Sequence, residues 1–246
     1  MLERELMPVG TMATQIARSL GTRIVSGEFT PGDLLPIESE LCQIYGVSRT
    51  TVREAVKNLT AKRLIEVSPK VGTRVLPFAD WNLLDRDVLE WRLNAQFDAE
   101  IVSDIFEMRL CFEPRAAYRA ARDGSADDHR QITHHFEDLV AAYRDNAPRL
   151  ASEASLEFHL AVIHASHNGL FVTIGSAVKS ALRVSSELLQ HHVADPEADV
   201  GFHEAVWRHI TDREPQQAAD AMDRLLVAAR DRLIPLTSAK RSRRIG

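Results

Sequence analysis

Residues 38–75, ESELCQIYGVSRTTVREAVKNLTAKRLIEVSPKVGTRV, leave few folds open to this chain. A short helix-prone run is cut by Gly46, and Ser48 stands where an N-cap serine accepts a free amide of the next helix. Two alternating segments, LIEVS and TRVLP, then flank PKVG like the arms of a small hairpin. Upstream, residues 11–26 place Ile16, Leu20 and Ile24 at steps of four, which is one apolar helical face. GEFTPGDLLP stops that helix at Gly27 and turns the chain at Pro31-Gly32 into a short extended piece. Helix, turn, short helix, tight turn, capped helix and hairpin is the order of a winged helix-turn-helix.

The capped helix carries the chemistry. Arg49, Thr50, Thr51, Arg53 and Lys57 lie along it, with Val52, Val56 and Leu59 behind them. In a helix-turn-helix the first turns of the second helix reach base edges in the major groove. Arginine can donate two hydrogen bonds to guanine there, and a threonine hydroxyl can bond phosphate or its methyl can touch thymine. Lys70 and Arg74 fall in or beside the wing tip, over phosphate or the minor groove, and Gly72 permits the tight turn. The competing reading is a solvated helix face with ordinary charges. Local charge speaks against it: residues 48–74 hold 7 basic against 2 acidic side chains in a chain whose net charge is −5. Such a basic stripe can meet phosphates while the rest stays soluble.

From Trp81 onward the character changes to amphipathic helices. WNLLDRDVLEWRL places Leu84, Val88 and Trp91 at helical steps, and residues 98–123 form a long helix with Pro114 inside it, where a kink or a lost hydrogen bond is expected. Helical patterns follow at 125–146, 149–166, 169–191, 197–212 and 215–234, and SAKRSRRIG forms a basic tail. The fold is therefore predicted to be mainly α: a winged helix-turn-helix over residues 1–78 and an all-α bundle of six or seven helices over 79–246. Cys42 and Cys111 lie far apart and are expected to be small buried apolar residues rather than a disulfide or a zinc knuckle. No apolar run approaches the roughly 18 residues of a membrane span, and MLERELMPVG lacks a signal-peptide core, so the expected location is cytoplasmic.

The stretch PIESELCQIYGVSRTTVREAVKNLTAKRLIEVSPKVGTRV resembles the DNA-binding domain of GntR-type regulators. EMRLCFEPRAA (107–117), EFHLAVIHASHN (157–168) and FHEAVWRHI (202–210) resemble the FadR-type (FCD) effector domain of that family. WNLLDRDVLEWRLNAQFD is similar to repressors of sugar-acid catabolism, of the galactonate-responsive kind. The resemblance implies a homodimeric regulator that binds double-stranded operator DNA and is released by a small carboxylate effector of the aldonate class. It puts DNA contacts on Ser48, Arg49, Thr50, Thr51 and Arg53 and in the wing around Gly72. A further contact position, often arginine in the family, is Ser39 here, which removes a contact.

Many FadR-type domains are similar in holding a divalent metal with one Asp and three His. Here His159 and His203 match two of those ligands, while the Asp position is Ser155 and the third His position is Leu225. Two imidazoles without a carboxylate make a poor site unless Glu153 or a ligand completes it, so no cofactor is expected, with a divalent metal on His159 and His203 as the minor alternative. Arg109, Ser155, His159 and His203 are the expected effector contacts, Arg109 through its guanidinium. Arg109 could equally be a structural partner of Glu113 on the next turn. Three alternatives to the aldonate-released repressor stand beside it: a regulator of another small carboxylate such as a hydroxy acid, a metal-dependent enzyme, and an architectural DNA-binding protein with no effector. The enzyme reading is disfavoured because no nucleophile elbow, HExxH or complete ligand set is present.

Overall fold

The computed structural model describes residues 11–95, 99–177, 179, 182–183 and 196–242. They fall into two compact units that divide between Gln96 and Phe97.

The first unit is built on three helices and a wing. Helix α1 (Met12–Val25) is opened by Thr11, whose hydroxyl accepts the Thr14 amide. Helix α2 (Glu38–Tyr45) ends at Gly46, which adopts a left-handed φ of 64° that a β-carbon would disfavour. Two residues later Ser48 opens α3 (Arg49–Ala61) by accepting the Thr51 amide at 3.3 Å, as the sequence pattern required. Strands β1 (Ile65–Ser68) and β2 (Gly72–Val75) pair antiparallel, with Ile65 opposite Val75 and Ser68 opposite Gly72. Left-handed φ values of 67° at Lys70 and 110° at Gly72 close the wing turn. The extended piece after Pro31-Gly32 runs along the other edge of β2: the Leu35 amide donates to the Thr73 carbonyl at 2.8 Å and the Val75 amide to the Asp33 carbonyl at 2.9 Å.

Ile16, Leu20, Ile24, Leu41, Val52, Ala55, Leu59, Leu64 and Val75 form the core of this unit, and Val56 packs on it half-buried. Helix α4 (Arg86–Ala95) belongs to the same unit, so the first compact body extends past residue 78. It begins later than expected because Asp85 caps it: Oδ1 accepts the amides of Asp87 at 3.0 Å and Val88 at 3.2 Å. Leu84, read as part of the apolar face, therefore lies ahead of the helix and is exposed. Val88 and Trp91 are buried as expected. Lys62, at the end of α3, reaches Asp85 at 2.9 Å and Asp87 at 2.7 Å, so one ammonium joins the end of α3 to the start of α4.

In the second unit α5 (Ala99–Asp123) packs on the last helix, α10 (Pro215–Ser242), and α6 (Ala126–Arg144) packs on α7 (Pro148–Ala165). Helices α8 (Gly169–Ala177) and α9 (Pro196–Thr211) complete the described bundle. Phe106, Ile132, Phe158, Val162, Val206 and Met222 lie in its core. Pro114 sits inside a continuous α5, and α10 runs through Pro235, past the end expected at residue 234. The part of the 169–191 pattern from residue 184 on, and the tail after Ser242, lie outside the described residues. The cysteine expectation needs correction: Cys42 is half-buried and Cys111 exposed. Glu107, Cys111 and Arg115 are four apart and form the outer stripe of α5, while Phe112 and Glu113 turn inward. Among the described residues no helix is long and apolar enough to cross a membrane.

Gly21 lies under the Trp91 ring, and a β-carbon there would collide with the six-membered part of the indole. Gly21→Ala should therefore lose about 1–3 kcal/mol in denaturant unfolding, although alanine gains about 1 kcal/mol in an open helix. An unchanged midpoint would show that the indole has room to move.

Candidate functional site

Two groups of side chains carry chemistry, one in each unit. In the first, burying Val52, Ala55 and Leu59 fixes the rotation of α3 and turns Arg49, Thr50 and Arg53 to solvent, with Thr51 half-buried. Ser39 and the capping Ser48 are exposed on the same motif. Ser48 Oγ and Thr51 Oγ1 lie 2.9 Å apart, so these two hydroxyls are partly committed to closing the helix end. Arg53, with a side chain 66% exposed, donates from Nε to Glu38 Oε2 at 3.0 Å, which aims the guanidinium from α2. The other Glu38 oxygen is buried without a hydrogen-bond partner. Lys57 pairs with Glu54 at 2.8 Å. Among the described residues Arg49, Lys70 and Arg74 form no ion pair, and all three are exposed. The sequence-derived DNA contacts thus share one motif and its wing, with Arg53 partly engaged.

The second group is buried in the helical unit. Arg109 (α5) donates from Nε to Glu113 Oε1 at 2.6 Å and from Nη2 to Oε2 at 3.3 Å, and His159 (α7) meets Glu113 Oε2 through Nδ1 at 2.7 Å. Burial alone would raise the Glu113 pKa, but the Arg109 guanidinium and the hydrogen bonds from Arg109 and His159 outweigh it and hold the carboxyl down at about 2. An ionised carboxylate only accepts, so His159 Nδ1 carries the proton and Nε2 keeps a lone pair. Burial also lowers the His159 pKa, against the pull of Glu113.

His203 (α9) stands beside it, the two rings 5.7 Å apart. Its Nδ1 donates to the Asp199 carbonyl at 2.9 Å, which leaves Nε2 to accept the Ser155 hydroxyl at 3.3 Å. Burial pushes the His203 pKa down to about 4, so the ring is neutral at pH 7. The Asp199 carboxylate accepts Tyr143 Oη at 2.6 Å and Arg232 Nη2 at 2.6 Å. Burial opposes its charge, and His203, Tyr143 and Arg232 together outweigh that and lower its pKa.

The four expected effector contacts, Arg109, Ser155, His159 and His203, thus meet in one buried polar cluster, and the pairing of Arg109 with Glu113 is real as well. Sequence reasoning missed Asp199, Tyr143 and Arg232. Asp199 was findable, since an aspartate four residues before His203 repeats the spacing sought at 155 and 159. The donor set does not fit the divalent metal implied by the family. Ser155 replaces a carboxylate and binds His203 Nε2, and Leu225 is buried apolar surface. Both nearby carboxylates are held by cations or hydroxyls. Glu153, the possible substitute, is exposed and lines a groove with Asp138 and Asp145 on the outside of the bundle.

This pairing of a winged helix-turn-helix with a helical unit that encloses a buried polar cluster has known counterparts. Residues 12–75 match the family described as bacterial regulatory proteins, gntR family, and residues 104–228 match the FCD domain. The chain belongs to the GntR family of transcriptional regulators. It is 32% identical to the galactonate operon transcriptional repressor of Escherichia coli K12 over 91% of this chain and 97% of that one. It is 31% identical to the uncharacterized HTH-type transcriptional regulator YieP of the same organism, over 86% and 90%. Among solved structures, a Streptococcus agalactiae GntR protein superposes with a TM-score of 0.52 at 25% identity, over 89% of this chain and 99% of that one. The domains and relatives are those of regulators, not enzymes, and the chain is a GntR/FCD transcriptional regulator.

The cluster makes the stability of this regulator pH-dependent, and the two main contributions share a sign. Glu113 has a folded pKa of about 2 against an ordinary 4.5, so its stabilisation is complete above pH 4.5 and is lost as pH falls toward 2. His203 has a folded pKa of about 4 against 6.5, so the stabilisation its neutral form gives is complete above pH 6.5 and is lost as pH falls toward 4. Protection factors in α7 and α9, taken relative to intrinsic exchange at each pH, should therefore fall on acidification from pH 7. His203→Gln should flatten the part of the profile above pH 4, and a profile unaltered by that change would locate the titration elsewhere.

Proposed function

We propose that this chain is a dimeric, sequence-specific DNA-binding repressor of sugar-acid catabolism, released from its operator by an aldonate or keto-deoxy aldonate bound in the helical unit. The observation that carries the DNA part is the rotation of α3, which presents Arg49, Thr50 and Arg53 to solvent while its apolar side is buried in the unit's core. The winged helix-turn-helix, residues 1–78 with α4 packed against it, is the reading module. Arg49 and Arg53 reach base edges. Ser48, Thr50 and Thr51 bond phosphate or touch a thymine methyl, Ser39 stands where the family's arginine contact is lost, and Lys70, Gly72 and Arg74 bring the wing to phosphate or the minor groove. Two copies related by a two-fold axis match an inverted repeat whose half-sites are about 34 Å apart or a multiple of that.

The effector part rests on the buried cluster and on the name of the galactonate operon relative. Among the described residues, Arg109 Nη1 and His159 Nε2 have no hydrogen-bond partner, so a carboxylate and a hydroxyl of one ligand can meet a cation and an acceptor there. Ser155 and His203 add a hydroxyl and a ring that can exchange partners. Recognition by this set is metal-independent, because the family's carboxylate and third histidine are Ser155 and Leu225.

Two measurements test the reading. In operator titrations Arg49→Ala or Arg53→Ala should cost about 1–3 kcal/mol of binding if the side chain reads a base. Unchanged affinity in both would take them out of the contact set. Calorimetry with galactonate, gluconate and their keto-deoxy derivatives should show binding by one of them, unaffected by chelator and weakened in Arg109→Lys. Binding only by a short hydroxy acid would replace the aldonate reading, and binding by no acid would remove the effector assignment.

A further inference from the structure

Outside the buried cluster, a second set of metal-ligating side chains lies on α6 where that helix faces α7. His134, His135 and Asp138 offer one donor atom each, all within 4.8 Å of one another. His134 Nε2 is 3.6 Å and His135 Nδ1 is 4.0 Å from the same atom, Asp138 Oδ2. The spacing follows from the helix, since i to i+4 and i to i+3 bring both imidazoles over one carboxylate. Ligands about 2.1 Å from a tetrahedral ion lie about 3.4 Å apart, so small side-chain rotations close the set.

The surroundings favour a cation. His135 is half-buried and lines a groove beside the Asp138 carboxylate, with Glu157 facing the same groove from α7. The groove it lines with Asp138 also carries the carboxylates of Asp145, Glu153 and Glu157 and no basic side chain other than His135 itself. Lys179, which lines the adjoining cleft, is paired with Glu157 at 2.9 Å. Two imidazoles and a carboxylate select borderline transition ions over magnesium or calcium. Exposures of 62% and 52% at His134 and Asp138 leave the remaining coordination positions to water.

We propose that His134, His135 and Asp138 form a surface site for one divalent transition-metal ion, of the zinc or nickel type, on the outer face of the helical unit. The site is separate from the buried cluster and needs no effector.

The test uses untagged full-length protein, with Zn2+ and Ni2+ followed by calorimetry and Cu2+ by electron paramagnetic resonance. One equivalent should bind. His134→Gln and Asp138→Asn, at exposed positions, and His135→Gln, at a half-buried one, should each weaken binding by at least about tenfold without changing operator affinity. The copper spectrum should show two nitrogen ligands, reduced to one in either histidine variant. No heat from either ion at millimolar concentration would overturn the proposal. So would one-equivalent binding that survives all three substitutions, which would move the metal to another part of the chain. Because operator affinity and effector heats are read separately, failure here leaves the regulator reading untouched.

Discussion

Glu113 is a carboxylate with no exposure to solvent, and the organisation of the helical unit depends on how it is held. A buried charge costs several kcal/mol unless cations and hydrogen bonds surround it. Here Arg109 grips it from the next turn of the same helix and His159 reaches it from α7, so α5 and α7 are joined by a charged contact as well as by apolar packing. The same contact fixes the His159 tautomer and so decides which ring nitrogen is left for a ligand. Asp199 does the corresponding work further along, gathering Tyr143 from α6, Arg232 from α10 and the backbone-anchored His203 from α9. Five of the helices therefore meet through two carboxylates, and whatever disturbs one of these acids is felt by several helices.

The DNA-reading unit works by the opposite logic. Its helices are positioned by apolar burial and by caps, and the charges are left outside. Ser48 opens α3, Gly46 ends α2, and Val52, Ala55 and Leu59 set the rotation, so no charged contact is needed to hold the basic side chains of α3 outward. The charged fixture in this unit is at the far end of α3, where Lys62 meets Asp85 and Asp87. It is remote from the turns that would enter a groove, and its ammonium is nearly buried while the two carboxylates are partly exposed, so salt weakens it less than it weakens fully exposed phosphate contacts.

Most of the fold was legible because its signals are local. Step-of-four apolar faces, glycine breaks and the serine cap need only neighbouring residues to act, and α1, α2, α3 and the wing stand close to where the pattern put them. What was misread depended on side chains far apart in sequence. The start of α4 turns on Asp85, whose capping role is reinforced by Lys62 across the fold. Cys111 followed a general burial habit until the inward turn of Phe112 and Glu113 put it on the opposite stripe. In the buried cluster the motif matches supplied the histidines, Ser155 and Arg109. Tyr143 and Arg232 come from helices 56 and 33 residues away from Asp199 in sequence, and no spacing rule reaches that far.

Arg53 and Glu38 give the recognition helix one further property. The guanidinium is already engaged by an acid on α2 whose second oxygen has no partner of its own. Any nucleic acid that recruits Arg53 must either accept it alongside that acid or displace it, and displacement strands a carboxylate near a polyanion. A random backbone phosphate, which returns a single contact, is a weak competitor under those terms. A guanine edge that takes two hydrogen bonds is a strong one. On the proposed reading of Arg53 as a base contact, the acid behind it would work as a filter, lowering attraction to arbitrary sequence more than attraction to a fitting one.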